Sequence, residues 1–435
     1  MNIKNQSMHC CMLNKSGTSI WLLAILLMVS GQLFANDINL ESAIKLMSER
    51  NPSLKVFEIR KRILGGAKIT AELNPELEAG IEVENFAGTN PYSTFRQSEL
   101  TVALSSVIEL GGKKESRNNL VLKQHELLDA QRKVHSLDLI SGLTELFIET
   151  LATQERIKLA HESVQLNEDI FKSVKRKANA GAISDVEVKR SFAALKQSQI
   201  TLKTEQLKLD RQRVNLSLLW ADKTPSFDQL SGSLFNFGHI KDLDRVMSNL
   251  EQSSLISVLV ANQRMAESQL QIAQAESKAD ISWSLGIRRI EESNDNALTA
   301  GFSLPLFKKK RNEGALIEAE AEIEALKTKQ NIALLELFGQ VNELYSLRTS
   351  ALERYSVLEG EVIPALSEAL SLTKAAYLDG RYGYLEYSAA RSELIQSKKA
   401  LIDTAEIILK YGVQLERITA ESVYVDQLNN PGAGS

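Results

Sequence analysis

Apolar positions along this chain change period in a fixed order, and the order occurs twice. Leu40, Ala43, Ile44 and Met47 stand at i, i+3, i+4 and i+7, the spacing of one buried helix face. Val56, Ile59, Ile63 and Ala67 continue the helical run, which is predicted over 39–73 with interruptions at Pro52 and Gly65-Gly66. After Pro75 the period becomes two. Leu77, Ala79, Ile81 and Val83 alternate with Glu76, Glu78, Gly80 and Glu82, and Leu100, Val102, Leu104, Ser106 and Ile108 alternate again after a turn-rich stretch, 85–92. Two strands at 77–86 and 97–109 are predicted, each long enough to cross a bilayer at a tilt.

A long helical run opens at Lys113. Leu120, Leu127 and Val134 step by seven, as do Ile157, Val164 and Phe171, which is a coiled-coil seam. From Lys113 to Asn179 is 67 residues, about 100 Å of helix at 1.5 Å per residue. Gly181 supplies the positive φ that ends it, Ser184 or Asp185 can cap a return helix, and that helix continues to about Trp220. The second half follows the same plan. A helical run is predicted over 243–277, strands at 281–291 and 298–306, and a helix over 312–378 kinked at Pro364. Gly380 turns the chain, and a return helix runs over 383–418.

The two reversals are copies of one another. Gly181 matches Gly380, Glu187 matches Glu386, Lys175 matches Lys374 and Leu195 matches Leu394, each pair 199 residues apart. Such a period marks an internal duplication. The expected division is a leader at 1–35, a first repeat at 36–235 (helical hairpin 113–220), a second at 236–420 (helical hairpin 312–418) and a disordered tail at 421–435. Each repeat supplies two membrane-length strands and one helical hairpin. Four strands cannot close a barrel, and an open sheet edge cannot face lipid. Three copies give twelve strands around a usable lumen. The fold expected is therefore mainly α with a membrane β-barrel portion: a trimeric, twelve-stranded barrel on an α-helical barrel.

Composition narrows the chemistry. Lys4 and Lys15, the apolar run from Ile20 to Val29 and Leu33-Phe34-Ala35 read as a secretory leader, with Cys10 and Cys11, the only cysteines, inside it. Without the leader, 49 basic side chains face 55 acidic ones, a balance that argues against nucleic acid as a partner. His125, His135, His161 and His239 lack the i, i+4 spacing of a helical metal pair, and there is no phosphate-binding glycine loop or nucleophile–base arrangement. No catalytic residue, cofactor site or metal site is expected.

The duplication, the paired strands and the tips NAGAISDVEV and LDGRYGYLEY together resemble the TolC family of outer-membrane efflux ducts, across essentially the whole mature chain. Val83-Glu84-Asn85 with Gly88, and the segment from Ser106 to Lys114, are similar to its heavy-metal cation branch, associated with cobalt, zinc, cadmium or copper export. The chain departs from the family pattern at Lys278-Ala279-Asp280, where a proline is usual, and in the SSVIELGGK segment, which also lacks the family's proline.

The resemblance implies a homotrimer in the outer membrane with its helical barrel in the periplasm. Its hairpin tips would meet a periplasmic adaptor (membrane-fusion) protein that couples the duct to an inner-membrane pump of the RND type. Carried onto this chain, the docking residues are Ala178, Gly181, Ala182, Ile183 and Ser184 on one tip, and Gly380, Arg381 and Tyr382 on the other. The periplasmic gate is implied at Glu386, its repeat mate Glu187, and Tyr377, which resembles a latch tyrosine held against Glu187. A basic latch position of some members falls on Tyr382. The implied function is a passive exit duct for heavy-metal cations. The alternatives are a duct for drugs or secreted polypeptides, and a periplasmic coiled-coil scaffold without a pore.

Overall fold

A computed structural model describes residues 37–238, 242–248 and 250–419. The leader, the tail after 420 and His239 lie outside the described residues. The first repeat comprises α1 (Leu40–Arg50), α2 (Pro52–Ala71), β1 (Glu78–Glu84), β2 (Glu99–Ile108), α3 (Lys113–Asn179) and α4 (Asp185–Leu218). The second comprises α5 (Leu243–Ser248), α6 (Ser254–Glu276), β3 (Ile281–Ile290), β4 (Asp295–Ser303), α7 (Lys308–Arg311), α8 (Glu313–Val357), α9 (Ile363–Leu378) and α10 (Tyr384–Thr419).

The strands form one antiparallel sheet in the order β1-β2-β3-β4. Its register sorts side chains by face. Ile81, Val102, Ile287 and Leu298 sit opposite one another across all four strands, and Ala79, Leu104, Leu285 and Ala300 form the next such row. Between them runs Gly80, Ala103, Gly286 and Thr299, and beyond that Glu82, Thr101, Arg288 and Ala297. Successive strand residues point to opposite faces, so one face is apolar and the other small or polar. On the polar face Arg288 bridges Glu84 (2.9 Å) and Glu99 (2.6 Å) and donates to Thr101 Oγ1 (2.9 Å). The apolar rows are exposed: Ile81 is 75% accessible and Leu298 81%. That is the surface of a transmembrane β-sheet with lipid on one side and water on the other. No described helix is long and apolar enough to cross a membrane.

Helices continue the sheet as a strip. Next to the sheet, α2 packs on α3, α3 on α6 and α6 on α8; further away, α4 packs on α3, α3 on α10, and α10 on α8 and α9. The main core lies in the middle of the strip. Phe147, Ile148 and Leu151 of α3 and Ile408 and Leu409 of α10 meet Leu216 of α4, Trp220, and the connector residues Leu230 and Leu234.

Several elements differ from the periodicity reading, each for a local reason. α2 runs through Gly65-Gly66 without a break, since each glycine costs a helix only about 1 kcal/mol and α3 supplies the packing. The run over 243–277 is interrupted by a 3₁₀ turn at Leu250–Gln252, after which Ser253 Oγ caps α6 by accepting from Ile256 N (3.3 Å). The 312–378 run is broken by a π-helical turn at Leu358–Val362; Pro364 has no N–H to give Gly360 and its ring crowds that carbonyl. β4 occupies 295–303 and not 298–306, because Asn294 takes a left-handed φ of 59° and closes the turn early. In α3 the buried seam lies one residue over from the predicted one, at Val121 and Leu128.

Where sheet meets helices, Asp280 of the proline-free segment Lys278-Ala279-Asp280 ties the repeats together. Its carboxylate accepts from Lys113 Nζ (2.5 Å), Lys308 Nζ (3.3 Å) and Leu110 N (3.1 Å), and the Lys113 side chain is only 2% exposed. Burial pushes the Asp280 carboxyl up, but the hydrogen bonds from Lys113, Leu110 and Lys308 outweigh it and hold the pKa below the usual value. Its contribution is therefore complete above the ordinary aspartate range and is lost as pH falls through the lowered value. Asp280→Asn, which leaves the buried Lys113 ammonium only its longer contact with Glu276 (3.6 Å), is expected to cost about 2 kcal/mol in denaturant unfolding.

Candidate functional site: the paired hairpin tips

The α3–α4 and α9–α10 reversals are built alike. Gly181 (φ 73°) and Gly380 (φ 76°) both adopt the left-handed conformation that ends a helix. Ala182 N donates back to Lys177 O and Arg381 N to Ala376 O, each at 2.9 Å and at matching repeat positions. The return helices are capped differently. Ser184 Oγ accepts from Val186 N (3.2 Å). The matching residue is Gly383, which has no side chain, so Glu386 Oε2 reaches back to accept from Gly383 N (3.1 Å). One repeat thus caps with its serine and leaves Glu187 available; the other spends part of its acid on the cap.

The two tips meet on a small core that is aromatic on one side only. Tyr377 of α9 (2% exposed) with Tyr384 and Tyr387 of α10 packs against Ile170 and Val174 of α3, with Ile183 and Val188 alongside. The Tyr377 and Tyr387 rings stack at 5.3 Å. Lys177 Nζ lies 4.3 Å from the centroid of the Tyr377 ring and donates to Tyr377 O (2.5 Å) and Leu378 O (3.4 Å). One ammonium therefore joins the end of α3 to the last carbonyls of α9, the negative end of that helix. Arg391, half-buried, donates to Asn167 Oδ1 across the same seam, and burial lowers its pKa.

The residues singled out from sequence fall in three places. Tyr377 and Glu187 are brought near one another: burial and then the Glu187 charge raise the Tyr377 pKa, keeping the phenol protonated. The Tyr377 hydroxyl and Glu187 Oε2 are nonetheless both buried without a hydrogen-bond partner. Glu386 is exposed and acts as a cap. Gly181, Ala182, Ser184, Gly380, Arg381 and Tyr382 are exposed at the ends of the hairpins, with Ala178 and Ile183 half-buried behind them. Val186, Leu378, Tyr382 and Leu385 add exposed apolar surface there.

Sequence reasoning missed Lys177, Tyr387, Arg391 and Asn167. A signal existed in the repeat itself. The mate of Lys177 is Ala376, that of Tyr387 is Val188 and that of Arg391 is Phe192, so at these three positions the copies differ in charge or aromaticity, as they also do at exposed Arg176 and Arg190. No described cluster of His, Cys, Asp and Glu could hold a metal ion. His135 is a packing residue, with Nε2 2.9 Å from Ser53 Oγ and its ring against Phe57.

Comparison with known proteins follows the same duplication. The family model described as "Outer membrane efflux protein" matches residues 44–222 and again 247–421. The cobalt-zinc-cadmium resistance protein CzcC of Cupriavidus metallidurans is 25% identical over 372 residues, 84% of this chain and 85% of that protein. Among solved structures, CusC superposes with a TM-score of 0.74 at 15% identity, covering 89% of this chain and 93% of that one. VceC of Vibrio cholerae gives 0.71 at 17% identity, covering 88% and 96%. These structural likenesses establish the fold. With a sheet that has one lipid-type face, a long helical hairpin in each half and a family match in both, this chain belongs to the outer membrane efflux protein family.

Proposed function

We propose that the chain is the outer-membrane duct of a tripartite efflux system, that it works as a homotrimer, and that its cargo is heavy-metal cations. The observation that carries the assembly is that the strip is open on both edges at every level. Among the described residues, β1 and β4 each lack a partner on one side. α2 exposes Val56, Ile59 and Ile63 at one end of the strip, and α8 exposes Ile317, Ile332 and Leu335 at the other. Backbone groups at a sheet edge in lipid cannot stay unsatisfied, so copies must close the ring edge to edge. Three copies give twelve strands, with the polar face of Arg288, Glu84 and Glu99 around the lumen. We take 36–235 and 236–420 as the two repeats, a division supported by the matching turn geometry at Gly181 and Gly380.

The tips then face the periplasm. Ala178, Gly181, Ala182, Ile183, Ser184, Gly380, Arg381 and Tyr382, with exposed Leu378 and Leu385, form the surface for an adaptor protein that links the duct to an RND-type inner-membrane pump. Glu187, Tyr377 and Glu386 border the entrance, where a ring of carboxylates raises the local cation concentration. Cargo is read from the likeness to CzcC, whose name couples it to cobalt, zinc and cadmium.

Deleting the gene tests the cargo directly. The strain is expected to lose tolerance to some of zinc, cadmium, cobalt, nickel, copper and silver while dye efflux stays normal. Sensitivity to dyes and detergents with metals untouched would keep the duct and remove the metal assignment. A detergent-extracted mass of one chain would remove the trimer.

A further inference from the structure

At the junction between strands and helices, the two repeats differ in one costly respect. The residue before α3 is Gly112, with φ 74°, and the residue before α7 is Phe307, with φ 63°. Glycine takes the left-handed conformation freely, whereas a bulky side chain there is an outlier. Phe307 is 81% exposed, and Leu306 beside it is also exposed. Within one copy the ring makes no packing that would offset the strain.

The opposite edge of the strip carries a complementary feature. An open cavity of about 760 Å³ runs inward from under the start of β1, walled by Ala67, Ala71, Leu73 and Val107 together with the Glu109–Arg117 ion pair and Asp280. Glu76 lines its mouth, with Glu78 exposed two residues further on, and Lys309, Lys310 and Arg311 are exposed directly after Phe307. Strand order determines what comes next to what. Closing the barrel pairs β4 of one copy antiparallel with β1 of the next, so the residues after Ser303 arrive beside those before Glu78.

We propose that Phe307, with Leu306, is a knob that fills this cavity on the adjacent copy and locks the barrel shut at its periplasmic rim, the basic segment meeting the acidic mouth. The left-handed backbone at Phe307 turns the ring outward toward that neighbour and is retained for it. This inference rests on the trimeric reading above, and it names a second copy, not lipid, as the occupant.

The sequence has no cysteine outside the leader, so an engineered pair is informative. Leu73→Cys with Phe307→Cys, in the outer membrane and treated with a short bismaleimide, is expected to give covalently joined trimers on denaturing gels. Phe307→Gly separates packing from strain. It relaxes the backbone of each copy, so a residue that was merely strained would give an equal or more heat-resistant trimer. A knob predicts a trimer that falls apart at a lower temperature. A native trimer mass with no cross-linking and no loss of heat resistance overturns the knob, leaves the duct standing and points to lipid in the cavity. A single-chain mass overturns the trimeric reading itself.

Discussion

Leu285→Arg is expected to keep the protein out of the outer membrane. Leu285 is in the middle of β3, directly opposite Leu104 of β2 and Ala300 of β4, in one of the two apolar rows that cross the sheet. Placing a guanidinium on the lipid side at mid-depth costs about 2–4 kcal/mol per copy. In the trimer proposed above that is roughly 6–12 kcal/mol, comparable to the whole stability of an ordinary domain. The control is Thr299→Arg, in the neighbouring row opposite Gly286 on the polar face, where the charge meets water. The first variant should be depleted from outer-membrane fractions and lack a heat-modifiable trimer; the second should insert normally. Equal insertion of both would mean that the two faces have been assigned the wrong way round.

Lys177→Met is expected to raise the open probability of the entrance proposed at the tips. The ammonium holds the α3 tip to the α9 carbonyls, through Tyr377 O, Leu378 O and the Tyr377 ring. A hydrogen bond to a charged group contributes about 1.5–3 kcal/mol and a cation over an aromatic face about 0.5–1. Losing both shifts a closed–open equilibrium by roughly two orders of magnitude, since 1.4 kcal/mol is about tenfold. Planar-bilayer recording should show a higher open probability, and Lys177→Arg should restore most of the closure. Tyr377→Phe is the informative companion. Its hydroxyl is buried without a partner, so removing it should leave closure intact or slightly firmer. An unchanged Lys177→Met channel beside a leaky Tyr377→Phe channel would give the latch to the phenol and Glu187 instead.

Much of the architecture is legible along the chain because it is periodic. A change from period 3.6 to period 2 and back, occurring once in each half with tips 199 residues apart, specifies hairpins of strand and helix without any knowledge of contacts. Boundaries are less legible where one residue's backbone decides them. Asn294 closes its turn early with a positive φ, and the effect of Pro364 appears as a π-helical turn upstream of the proline itself. Gly65-Gly66 reads as a break in isolation and survives as helix because each glycine costs only about 1 kcal/mol and the rest of α2 packs on α3.

The tips show the limit most clearly. Gly181 and Gly380 are visible because only glycine suits the left-handed end of a helix, and Ser184 because a cap needs a side-chain oxygen. Lys177 cannot be found that way. Its partners are a carbonyl and a ring 200 residues further on, and nothing in its local sequence marks it from other lysines. Glu386 was legible as an acid near a tip but not as the cap of its own helix. Local conformational preference and burial period are properties of a segment, so the residues alone state them. Which charge ends beside which carbonyl, and which edge is left open, depends on how segments meet, and only the folded chain contains that.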